Sequence, residues 1–197
     1  MRKFVSFMLM LLIGLGGYFF YYSILRGNRG QSSTEGKVFT TLPNLDQWIA
    51  FNPKEEIFSA SFPIQPHLLQ KTFPIPGSDD SLNYREYQCI NQEGKVYSVS
   101  YTTLPDSLLK WGSSLVLNGA LKLIVRDGRG QLSGKGANTF KSFPSLDYEH
   151  ITDTNMTTGT LILVGKILYK IEIICPLDHY DGLPEEFGAF LQSFEVV

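Results

Sequence analysis

Only two cysteines, Cys89 and Cys175, occur in 197 residues, and neither lies near the N-terminus. That position excludes a lipoprotein anchor on a processed N-terminal cysteine. The pair leaves the compartment open. Outside the cytoplasm it could close a long disulfide loop, but the apolar strand setting of both residues favours two buried thiols acting as small hydrophobes. Histidine is scarce too, and His67, His150 and His179 stand far apart. No G-x-S-x-G elbow, H-E-x-x-H helix or C-x-x-C pair occurs, so common hydrolytic, zinc-dependent and redox chemistries lose their usual signatures. Also missing is a basic stripe. After residue 30, thirteen cations face nineteen acids, a net −6. Nucleic acid is therefore an unexpected partner, and the same sign argues against the domain lying flat on anionic lipid.

The longest absence is of charge itself. Phe4 to Leu25 runs twenty-two residues without one, between Arg2-Lys3 and Arg26. As a helix it would be roughly 33 Å long, against a hydrocarbon core of about 30 Å. Tyr18, Phe19, Phe20, Tyr21 and Tyr22 crowd its end, where aromatic rings suit the headgroup level. Gly14, Gly16 and Gly17 are tolerated in lipid, and their spacing gives no strong signal for helix dimerisation. A cleaved signal peptide is the competing reading, with Gly30 and Ser32 as small residues before a cut. Its apolar region is normally only about 7–15 residues, so an uncleaved anchor over residues 1–25 is favoured. Arg2 and Lys3 are balanced by Arg26 and Arg29, and a short charged head is an unusual export. The expected topology is N-inside, with the C-terminal part outside the cytoplasm.

Residues 26–41 read as a flexible linker rich in Gly, Ser, Thr, Asn and Gln. Residues 42–197 then suffice for one domain. Period-two patterning dominates it. Ile57–Phe62 reads as a strand, and Tyr84–Asn91 and Lys95–Leu104 as a hairpin across Gln92-Glu93-Gly94. Gly134–Lys141, Asp147–Asp153, Thr158–Val164 and Ile167–Cys175 form a second run, the last two joined by Gly165-Lys166. In the final strand Ile167, Tyr169, Ile171, Ile173 and Cys175 share one side, with Lys170 and Glu172 on the other. This predicts a sheet with one covered and one wetter face. Between the runs, Leu108, Trp111, Leu115, Leu121 and Ile124 recur at helical spacing, interrupted by Gly112 and Gly119. Pro184–Phe194 reads as a terminal helix, with Glu185 and Glu186 complementing its dipole. Strands, helix, strands, helix without βαβ alternation predicts an α+β fold, an antiparallel β-sheet covered by helices.

Several of these segments resemble a known family. Phe58-Ser59-Ala60-Ser61-Phe62-Pro63-Ile64-Gln65-Pro66, Tyr97–Pro105, Lys166–Ile171 and the closing Phe190-Leu191-Gln192-Ser193-Phe194-Glu195-Val196 resemble the signatures of bacterial domains similar to PsbP and the Mog-type Ran-binding proteins. The resemblance spans roughly residues 48–197. It implies an α–β–α sandwich used for binding or assembly and usually not catalytic. Many relatives carry a lipoprotein cysteine that this chain lacks, and no shared catalytic motif exists to transfer.

Three constellations invite chemistry. Gly130-Gln131-Leu132-Ser133-Gly134-Lys135-Gly136 has Arg129 where a phosphate loop needs glycine and Gly136 where it needs Ser or Thr, so it reads as a flexible connection. Asp178-His179-Tyr180-Asp181 with Glu185 and Glu186 lacks EF-hand spacing, and a helix start explains its acids. Cys175 beside His179 suggests a thiolate and base, but Cys175 continues an apolar strand face. Asn155-Met156-Thr157 is a chance-prone glycosylation sequon, and Pro74–Ser81 reads as an exposed loop. No catalytic, cofactor or metal residue is assigned. The expectation is a membrane-anchored binding or assembly module with a protein partner. The alternatives are a membrane-tethered thiol- or metal-dependent hydrolase and a cytoplasm-facing adaptor.

Overall fold

In the computed structural model, seven of the ten strands among the described residues form one antiparallel sheet. The structure describes residues 47–74 and 81–197. The proposed anchor (4–25) and linker (26–41) lie outside them, as do residues 75–80 of the expected loop. No helix among the described residues is long and apolar enough to cross a membrane.

In chain order the elements are β1 (Ile49–Phe51), β2 (Phe58–Phe62), β3 (His67–Pro74), β4 (Ser81–Ile90), β5 (Val96–Thr103), α1 (Asp106–Leu109) and α2 (Ser113–Asp127). There follow β6 (Gln131–Phe140), β7 (Phe143–Ile151), β8 (Asn155–Val164), β9 (Ile167–Pro176), a 3-10 turn (Leu177–His179), α3 (Leu183–Ser193) and β10 (Glu195–Val196). The large sheet runs β3-β4-β5-β9-β8-β7-β6, and β1-β2-β10 form a small one. Hairpins make five of the six large-sheet pairings. The sixth, β5 with β9, requires the chain to leave β5, cross through α1 and α2, and return along the far edge.

Alternation decides what each face receives. On one side Tyr87, Tyr97, Val99, Tyr169, Ile171 and Ile173 meet Phe58, Phe62, Phe187, Phe190 and Phe194 from β2, α3 and the chain beyond it. Rings dominate this layer: Phe194 lies 5.2 Å from Tyr169, and Phe190 lies 5.3 Å from Phe62, centroid to centroid. Each such ring contributes about 1.5–3 kcal/mol by leaving water. On the opposite side Leu146, Tyr148, Leu161 and Leu163 lie under Leu108, Val116, Leu117, Ala120 and Leu121.

The structure corrects four expectations. The single helix is two, because Gly112 takes φ +82°, a left-handed conformation that favours glycine and breaks the helical phase. The reset turns Trp111 and Leu115 outward, 54% and 62% exposed, and brings Val116 and Leu117 into the core instead. The connection proposed for Gly130–Gly136 is largely the edge strand β6. Three short or weakly alternating strands, β1, β3 and β10, were not anticipated. Finally, the side expected to be wetter is buried: Glu172 is 5% exposed and Ser100 is fully covered.

Candidate functional site: a buried charge row on the sheet

The corrected face holds a buried polar cluster that includes Glu86, Ser98, Ser100 and Glu172. Register places it. On β4, β5 and β9 the even-numbered residues share one side, which sets Glu86 beside Ser100 and Ser100 beside Lys170. Lys71 on β3 lies opposite Tyr84, and Gly159 on β8 lies between Tyr148 of β7 and Glu172 of β9.

Lys170 is the hub. Its ammonium donates to Glu172 and stands 3.8 Å from Glu86. Burial alone would lower the lysine pKa, but Glu172, Tyr84 and Glu86 reverse that, and the ammonium is held charged well above the usual range. Burial pushes Glu172 upward, yet Lys170 and the Tyr148 hydroxyl overcome it and the carboxyl ends below its ordinary value. Glu86 is less well matched. Burial prevails over Lys170, and its pKa is raised.

Tyr148 donates to Glu172 Oε2 at 2.7 Å by reaching across β8. Only glycine permits this. A Cβ on Gly159 would stand 2.5 Å from the Tyr148 ring, closer than any side chain tolerates. Beyond Tyr148, His150 stacks on the same ring (6.3 Å, 17°), and its Nδ1 finds no hydrogen-bond partner among the described residues. Burial holds its pKa below the usual imidazole value. Gly130 closes over it, since a Cβ there would meet His150 at 2.7 Å.

The opposite face uses charge differently. There, carboxylates reach in from the outer layer. Glu56 accepts from Arg85, Tyr87 and Tyr101, and Glu186 accepts from Tyr97 and, at 2.8 Å, from Lys95. Glu186, read from the sequence as a dipole partner, also fastens α3 to β5.

The other candidates separate in space. Cys175 is fully buried, its thiol donates to the backbone carbonyl of His179 at 3.0 Å, and the imidazole of His179 is exposed beside Asp178. Burial pushes both thiols up to about 11. Cys89 and Cys175 are free and lie on β4 and β9 with β5 between them, a spacing of about 9–10 Å that no disulfide spans. Among the described residues no three His, Cys, Asp or Glu side chains group as metal ligands. His67 accepts from Gln88 at 2.9 Å. The sequon residue Asn155 begins β8.

The charge row went unread because Lys170 and Glu172 follow the alternation of a solvated strand. Two signals pointed to it: polar residues in the middle strands of a sheet, and an isolated glycine within the β-branched run of β8.

No family model matches the chain, and no curated protein matches it. Among solved structures it is similar to cyanobacterial PsbP (CyanoP) from Synechocystis sp. PCC 6803, at 13% identity and a TM-score of 0.56, covering 85% of this chain and all of that one. It also matches PA94, a Pseudomonas aeruginosa protein of unknown function, at 10% identity and a TM-score of 0.31 over 74% of this chain and 92% of that one. The second superposition is too loose to bear on the fold. The first bears on the fold alone: this domain has a PsbP-like fold.

Proposed function

We propose that the protein is a single-pass membrane-anchored binding or assembly module, with its domain outside the cytoplasm and no catalytic activity of its own. The supporting observation is the chemistry of the charge row. Its central carboxylate and ammonium are buried against one another, which stabilises one geometry and leaves neither poised to move a proton to a substrate. The two thiols point the same way, since a nucleophilic cysteine needs a lowered pKa and access. The uncharged stretch Phe4–Leu25 motivates the anchor, and the PsbP-like fold accords with binding or assembly.

Two measurements test this. Protease added to intact cells should degrade the domain, whereas digestion only after the membrane is opened would favour the cytoplasm-facing adaptor. Cross-linking of the full-length protein in its membrane should trap a stoichiometric protein partner. Turnover of ester or peptide substrates that disappears in Cys175→Ser would overturn the non-catalytic reading in favour of the tethered hydrolase.

A further inference from the structure

The net charge of −6 conceals a strong asymmetry. Residues 105–141, which carry α1, α2 and β6, hold six cations and two acids, a net +4. The remainder of 42–197 holds six cations and sixteen acids, a net −10. The cations of this segment are exposed; Arg126 pairs with Asp127 and Lys141 with Glu195, and helical geometry places Lys122 and Arg126 on one face. On α2, Leu115, Lys122 and Arg126 recur at i, i+7 and i+11, which at 100° per residue lie within about 40° of one another on the solvent side. Lys135 of β6 joins this stripe by donating to Asn118 at 3.1 Å. Lys110 and Trp111 adjoin its N-terminal end, and exposed Arg129 follows its C-terminal end.

The same stripe carries an exposed apolar pair, Trp111 and Leu115, turned outward by the break at Gly112. Lys122 and Arg126 along a helix, Lys110 and Lys135 beside it, and tryptophan and leucine at one end make up the composition of a surface seated at a bilayer interface: the indole enters the headgroup region and the cationic groups meet lipid phosphates. We propose that the α2 face docks on a membrane surface bearing anionic phospholipid. The acidic remainder of the domain is repelled from that surface, which fixes the orientation. This inference goes beyond the proposed function and replaces the expectation, drawn from net charge, that the domain avoids anionic lipid.

The test uses the full-length protein with Trp48→Phe, leaving Trp111 as the only tryptophan, reconstituted in vesicles with brominated acyl chains. In phosphatidylcholine containing about a third phosphatidylglycerol, Trp111 emission should be quenched, and in pure phosphatidylcholine it should not. Lys110→Gln and Lys122→Gln should each shift the docked-to-undocked ratio about five-fold, and salt should do the same. Leu115→Ser should also undock it. Equal quenching in both lipids, none in either, or indifference to the lysines overturns the proposal. So does a Trp111 response to polyglutamate but not to vesicles, which assigns the face to an acidic protein. Flotation with pure phosphatidylcholine vesicles reports the anchor separately, so failure there leaves the docking result readable.

Discussion

The two faces of the central sheet bury side chains of opposite character and are held by different physics. On one, aromatic rings from β2, α3 and Phe194 cover tyrosines and isoleucines, and carboxylates from the covering layer reach down to tyrosine hydroxyls. On the other, the charges belong to the sheet itself, with Lys170 between Glu86 and Glu172. Apolar packing spreads its stabilisation over many contacts that each contribute a little. A buried charge row does not, because an ion stripped of its partner retains the full cost of leaving water. The second face therefore specifies register: a one-residue slip of β9 would send Lys170 and Glu172 into the aromatic layer.

This contrast can be broken most forcefully by single truncations. Glu172→Ala should cost about 3–5 kcal/mol in urea unfolding, leaving Lys170 and Tyr148 without their acceptor. Phe194→Ala should cost a similar amount, about 3–5 kcal/mol, through cavity formation. The faces then diverge under paired replacement: Lys170→Met with Glu172→Leu should recover part of the loss, because the net worth of a buried pair is small, while Glu86 and the Tyr148 hydroxyl each lose a partner. If that double variant is as unstable as Glu172→Ala, the charge row contributes more than mutual neutralisation.

Gly159→Ala probes the bridge between the row and β7. The added methyl must displace the Tyr148 ring, at about 1–3 kcal/mol, and near-ultraviolet circular dichroism should report the changed tyrosine environment.

Acid distinguishes the faces more gently. His150 has a lowered folded pKa, so its contribution is complete above the unfolded value of about 6.5 and is lost as pH falls below it, at up to about 1.4 kcal/mol per pH unit. Glu86 works in the opposite sense: its raised folded pKa makes stability rise as pH falls through that value. The difference between wild type and His150→Gln across pH 5–7 isolates the histidine; parallel curves would remove it as an acid-sensitive element.

The smallest effect lies at the β6–β7 turn. Lys141 and Ser142 both take positive φ, at 44° and 75°. Ser142→Gly should relieve this and stabilise by about 0.5–1 kcal/mol, raising the melting temperature by a few degrees.

The hairpins were legible because their signals are local. Glycine-containing turns and runs of alternating residues marked β4–β5 and β8–β9 to within a few residues. β3 was not, since Leu68 and Leu69 interrupt its alternation and only the register shows its pairing with β4. Trp111 and Leu115 were misplaced for a related reason. Their spacing fits a continuous helix, and one positive φ at Gly112 rotates them out.

Sequence alone determined the antiparallel α+β class, the hairpins β4–β5 and β8–β9, the apolar side of β9 and the terminal helix, because these depend on neighbours a few residues apart. The tertiary structure decided that the polar side is also buried, that Tyr148 reaches Glu172 over Gly159, and that the cations of α2 and β6 share one surface. Those outcomes depend on which strands become neighbours, and the free energy of a charge is set by what packs around it rather than by what precedes it in the chain.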